Sequence, residues 1–141
     1  MFKNNKGTLG GGIYIKSKSK ASIIISNTTF LFNHAQTKGG GIYFDTKSST
    51  MIPKLQILAC SFEGNHAGVA GGGLYWNYIP PIEIRDVKFI NNSAALYGPD
   101  VASYSFGIML LDLAGMRRNR TKVLLEGSSL LGIATGLGNS D

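Results

Sequence analysis

The feature that most constrains this chain is a motif written four times with one internal spacing. Phe2-Lys3-Asn4-Asn5-Lys6-Gly7 aligns with Phe30-Leu31-Phe32-Asn33-His34-Ala35, with Phe62-Glu63-Gly64-Asn65-His66-Ala67 and with Phe89-Ile90-Asn91-Asn92-Ser93-Ala94. Each copy reads Phe-x-x-Asn-x-small. A glycine block follows each: Gly10-Gly11-Gly12, Gly39-Gly40-Gly41, Gly71-Gly72-Gly73, and a worn fourth version, Gly98-Pro99-Asp100. Phe and first Gly fall at 2 and 10, 30 and 39, 62 and 71, 89 and 98, intervals of 8, 9, 9 and 9. A period near 30 with glycine punctuation is the mark of a solenoid.

Local chemistry makes each turn of that solenoid extended rather than helical. Between a glycine block and the next Phe lies an apolar, largely β-branched run: Ile23-Ile24-Ile25, Leu55-Gln56-Ile57, Ile82-Glu83-Ile84. Such residues favour strands, and the latter two alternate with period two. A second short strand ends at the repeat Phe, with Thr28, Cys60 and Val87 inward beside it. A third starts in the glycine block, with Ile13/Ile15, Ile42/Phe44 and Leu74/Trp76 on one face. The expected fold is an all-β parallel β-helix of about four coils, three short strands each, over residues 1–105. Residues 106–141 lose the repeat and are expected to form a β-cap or to begin a further module.

Stacked coils turn each motif position into a column at the parallel strand spacing of about 4.8 Å. Phe2, Phe30, Phe62 and Phe89 are expected to fill the core as an aromatic stack. Asn5, Asn33, Asn65 and Asn92 are placed at a bend, as an amide ladder that also tolerates left-handed backbone angles. The triplets Gly10-Gly11-Gly12, Gly39-Gly40-Gly41 and Gly71-Gly72-Gly73, with Gly98, allow tight turning. Glycine excess (19 of 141 residues) is therefore corner chemistry rather than linker.

Phe-x-x-Asn-x-Ala followed by Gly-Gly-Gly-Ile-Tyr resembles the polymorphic outer membrane protein repeat, over about residues 2–105. The resemblance implies a right-handed, single-stranded β-helix of the pectin-lyase-like superfamily; in look it is closest to large protist surface repeat proteins. It implies an extracellular or cell-surface module, structural or adhesive, cut from a larger membrane-anchored protein. Its partners would be neighbouring coils of that chain, and surface glycans or proteins. This sequence holds no signal peptide and no apolar run of the roughly 20 residues a spanning helix needs, so any membrane attachment would come from segments outside it.

No catalytic residue is assigned. Polysaccharide cleavage needs paired carboxylates or an acidic metal cluster, whereas the eight acids, among them Asp45, Glu63, Glu83, Asp86 and Asp100, are dispersed. A degenerate polysaccharide lyase is the third-ranked function. No cofactor or metal is expected: His34 and His66 share a column, but its other members are Lys6 and Ser93. Cys60 reads as a small core residue. The net charge of +6 includes a compact basic group, Arg117, Arg118, Arg120 and Lys122, read as a solvated loop, so no nucleic acid is expected.

The alternative function is carbohydrate binding. With Ile13, Ile42 and Leu74 inward, alternation sends Tyr14, Tyr43 and Tyr75 outward as an exposed ladder, beside Lys16, Asp45 and Asn77. Length variation is confined to one side, in Ser17-Lys18-Ser19-Lys20, Thr46-Lys47-Ser48-Ser49-Thr50 and Asn77-Tyr78-Ile79-Pro80-Pro81. Sequons begin at Asn27, Asn91 and Asn119, and permit glycosylation in a secreted chain.

Overall fold

The computed structural model describes residues 1–46 and 52–104, which form fifteen short strands. The first coil comprises β1 (Phe2–Lys3), β2 (Lys6–Leu9), β3 (Ile13–Ser17) and β4 (Ser22–Ser26). The second comprises β5 (Thr29–Leu31), β6 (His34–Lys38), β7 (Ile42–Thr46) and β8 (Lys54–Leu58). The third comprises β9 (Ser61–Glu63), β10 (His66–Ala67), β11 (Leu74–Asn77) and β12 (Glu83–Arg85). The fourth contributes β13 (Lys88–Ile90), β14 (Ser93–Ala94) and β15 (Val101–Tyr104). Equivalent strands pair in parallel, giving four sheets: β1-β5-β9-β13, β2-β6-β10-β14, β3-β7-β11-β15 and β4-β8-β12. The chain is an all-β parallel solenoid. The segment 106–141, the residues Lys47 to Thr50, the basic group around Arg117 and the sequon at Asn119 lie outside the described residues.

Each of the first three coils carries four strands where three were expected, and three strands of the fourth are described. The extra column, β2-β6-β10-β14, follows the ladder asparagine and holds the small motif residue, with Ala35 and Ala67 fully buried. These strands are two to five residues long and lack an apolar alternation. Their register is imposed by the coils on either side (Gly7 against Ala35, Ala35 against Ala67, Ala67 against Ala94), not by local propensity.

The Phe column is a true stack. Rings of Phe2 and Phe30, Phe30 and Phe62, and Phe62 and Phe89 lie 5.3, 4.7 and 5.0 Å apart and within 13° of parallel. Around them pack Ile42, Phe44, Leu55, Ile57, Cys60, Leu74, Val87 and Val101. Ile84 joins this core from its edge, whereas Ile82, just before β12, is exposed.

The asparagine column is a hydrogen-bond ladder. Asn5 Nδ2 donates to Asn33 Oδ1, Asn33 Nδ2 to Asn65 Oδ1, and Asn65 Nδ2 to Asn92 Oδ1, at 2.9–3.0 Å. The second Nδ2 hydrogen goes to the carbonyl of the preceding coil's Phe: Asn33 to Phe2, Asn65 to Phe30, Asn92 to Phe62. Each accepting Oδ1 also takes a backbone N–H from the asparagine below. The left-handed residue is not the ladder asparagine but the one before it: Asn4, Phe32, Gly64 and Asn91, with φ of 50–60°. The bend turns the next side chain inward, where burial obliges every polar atom to find a partner. A second left-handed column, Asn27, Ala59 and Asp86, makes the corner entering the Phe strand.

Within a glycine triplet only the first residue, Gly10, Gly39 or Gly71, has positive φ. The third is small for a different reason. A Cβ on Gly12, Gly41 or Gly73 would sit 2.5–2.7 Å from a carbonyl oxygen of the next coil and 2.7–3.0 Å from that coil's Phe ring.

Candidate functional site

The outer face of the sheet β3-β7-β11-β15 is where the tyrosines lie. Tyr14 pairs in register with Tyr43, Tyr43 with Tyr75, and Tyr75 with Ala102. All three point away from the Phe core as expected, and Tyr43 and Tyr75 stack at 5.2 Å and 4°. Tyr14 meets Tyr43 at 5.4 Å, tilted by 56°.

They are not an exposed ladder. Tyr75 is 0% and Tyr43 5% accessible; only Tyr14, at 44%, faces solvent. Outward is not the same as uncovered. The residues before each glycine block fold over this face, so that Val69, Ala70, Tyr97 and Leu9 pack with Tyr43, Tyr75 and Ala102 in a second apolar cluster. The left-handed first glycine makes this turn possible: a Cβ on Gly39 would lie 2.8 Å from Tyr43 Cβ. Burial, helped by the neighbouring Asp45 carboxylate, pushes the Tyr43 phenol up to about 12. Burial and the adjacent Tyr97 phenol push Tyr75 higher still.

The polar column beside them stays accessible. Lys16, Asp45, Asn77 and Tyr104 align in register. Asp45 Oδ2 accepts from Tyr14 Oη at 3.1 Å and Asp45 Oδ1 from Asn77 Nδ2 at 3.2 Å; Asn77 Nδ2 also donates to Tyr43 Oη at 2.6 Å. Tyr78 and Tyr104, both exposed, meet edge to face at 5.7 Å. Tyr78 holds a left-handed φ of 61°, unusual for a bulky residue. Thr46 brackets it, donating Oγ1 to the Asn77 carbonyl at 2.6 Å and accepting the Ile79 N–H at 3.1 Å. The exposed aromatic set is therefore Tyr14, Tyr78 and Tyr104, preorganised around Asp45 and Asn77. Sequence reasoning missed Tyr78 and Tyr104. One lies in an inserted turn, and the other follows a block that has lost two glycines; the signal available was in-register alignment of Tyr104 with Asn77.

His34 and His66 stack as neighbours, ring centroids 5.0 Å apart, and His66 Nδ1 is 2.8 Å from Ser93 Oγ. Among the described residues no three His, Cys, Asp or Glu side chains converge. Cys60 is buried, its thiol donating to the Leu58 carbonyl at 3.2 Å, and burial raises its pKa. The described acids stand apart. Glu83 accepts from Gln56 Nε2 at 2.7 Å and pairs with Arg85 at 3.3 Å on one sheet, Glu63 lies on another, and Asp100 is buried. Asn27 and Asn91, which open two sequons, are exposed corner residues. No described helix is long and apolar enough to cross a membrane.

Residues 59–75 match the family model for the Chlamydia polymorphic membrane protein (Chlamydia_PMP) repeat. That stretch holds the Phe62-x-x-Asn65-x-Ala67 motif and Gly71-Gly72-Gly73-Leu74-Tyr75, and the parallel solenoid built on it fits a β-helix repeat of this kind. No curated protein and no solved structure matches the chain.

Proposed function

We propose that the chain is a non-enzymatic β-helix module of a surface protein, a rigid adhesive or structural spacer displayed outside the cell. The observation that carries this reading is where the repeated residues go. Phe, Asn and Gly at every motif position are consumed by contacts between coils, which stiffen a rod and leave variation to the outer faces. The matched repeat, named for a membrane protein of Chlamydia, supports a place at the cell surface. The dispersed acids support a role without catalysis. Antibodies against the folded chain should label intact, unpermeabilised cells of its source; labelling only after permeabilisation would refute surface display.

A second reading, carbohydrate recognition, is favoured by one observation: the exposed rings of Tyr14, Tyr78 and Tyr104 flank the Asp45 and Asn77 hydrogen-bonding groups. Aromatic faces stack on sugar rings while amide and carboxylate groups pair with hydroxyls. On a glycan array, binding lost in Tyr104→Ala and Tyr78→Ala but kept in the unsubstituted chain would support it. An array without hits would end it.

A further inference from the structure

The fourth glycine block departs from the triplet at two positions, and both face the same way. Taking coil one as the bottom, backbone N–H groups of the second glycine donate upward: Gly11 to the Gly39 carbonyl, Gly40 to Gly71 and Gly72 to Gly98, at 2.9, 2.9 and 3.2 Å. The fourth residue in this column is Pro99, which has no N–H to donate. The only upward donor of this column that would call for a fifth coil's carbonyl has been deleted.

The third position removes a second one. In the ladder each amide accepts from the coil below and passes an Nδ2 donor to the coil above, so a stack of asparagines always ends on a spare donor. Here Asn92 Nδ2 donates at 3.0 Å to Asp100 Oδ1, within its own coil. Asp100 Oδ1 serves as the acceptor within the same coil, so the ladder's chain of amide donors stops there. Asp100 is 6% accessible, placed where a triplet has its third glycine. In lower coils that position admits no Cβ because the next coil's Phe ring and carbonyl oxygen lie against it. A side chain at 100 occupies the place such a ring would need.

We propose that Pro99-Asp100 is a stack terminator: it closes this end of the β-helix to any further coil of the Phe-x-x-Asn type. One backbone donor, the ladder's side-chain donor and steric room are withdrawn at one dipeptide, while the N–H groups of Gly98, Asp100 and Val101 remain. What read as a worn copy of the glycine block is a dedicated end.

The test restores the triplet. The full chain carrying Pro99→Gly with Asp100→Gly should gain concentration-dependent, end-to-end association in sedimentation velocity. The expected gain is about tenfold or more over the unsubstituted chain, the worth of a single hydrogen bond. Equal association of the two chains overturns the proposal. Asp100→Asn, close to isosteric, checks the contact itself. The Asn92 side-chain amide resonances should shift while the far-ultraviolet dichroism stays unchanged, and an Asn92 amide indifferent to residue 100 also overturns it.

Discussion

Lys38 Nζ donates to Tyr75 Oη at 3.1 Å and lies 4.7 Å from the centre of the same ring. The ammonium is partly desolvated, which lowers its pKa, and its position records how the turn before the glycine block closes over the tyrosines. Tyr75 is thus a core residue of the second cluster. Tyr75→Ala should cost about 3–5 kcal/mol, as large aromatic deletions from cores do. Tyr75→Phe, which removes the acceptor for Lys38 and the hydroxyl bonded to Tyr97, should cost about 1–2 kcal/mol. Urea unfolding of both variants checks the pair; equal and small losses would restore the exposed-ladder reading.

Asn65 is fully buried in the middle of the ladder, donating to Phe30 O and Asn92 Oδ1 and accepting from Asn33. Asn65→Asp replaces the donor by a carboxylate facing two acceptors. We expect a loss of more than about 3 kcal/mol at neutral pH, because one oxygen of a buried carboxylate would face two oxygen acceptors, with only the Asn33 donors left to the other. The burial would raise the carboxyl's folded pKa, so stability should recover as pH falls through it. Unfolding measured at two pH values distinguishes this from a mere packing fault, which would not depend on pH.

Two glycines to alanine should behave oppositely. A Cβ on Gly40 would run into the Gly72 carbonyl oxygen and come within 2.6 Å of His66 O, all rigid backbone. Gly40→Ala is expected to cost about 3 kcal/mol or more. Gly7 shares its column with Ala35, Ala67 and Ala94, and its Cβ would meet nothing nearer than 3.1 Å. Gly7→Ala should lie within about 1 kcal/mol of neutral. Thermal melts of the two variants side by side make the comparison.

Alkaline pH should weaken the fold through Tyr43. Its phenol titrates near 12 rather than the ordinary 10.0 because burial disfavours the charged form. The folded state then binds more protons than the unfolded one between those values. The stabilisation is complete below pH 10 and lost as pH rises towards 12, about 3 kcal/mol over the interval. Tyr43→Phe should reduce that dependence in unfolding measured from pH 9 to 12, the remainder coming from the buried Tyr75 phenol; an unchanged slope would assign the titration elsewhere.

The columns were legible because their cause is local and repeated. Phe30 over Phe62, Asn33 to Asn65 and His34 against His66 follow once one motif is aligned on the next, since in-register parallel pairing carries like onto like. The strand β2-β6-β10-β14 was not legible: two residues such as His66–Ala67 carry no pattern of their own. Nor was Tyr78, whose left-handed backbone is held by Thr46 from the coil below.

From the sequence alone came the solenoid, its period, the parallel pairing and the face on which each strand residue stands. These depend on spacing and on the period-two alternation of side chains, both written in the chain. Tertiary structure decided what covers a face and what ends the stack. Tyr43 and Tyr75 point outward by alternation, but whether water reaches them depends on Val69, Ala70 and Tyr97 folding across from other positions. Pro99 and Asp100 look like decay until the direction of the hydrogen bonds is known. Burial and hydrogen-bond direction are properties of assembled neighbours, and no single repeat contains them.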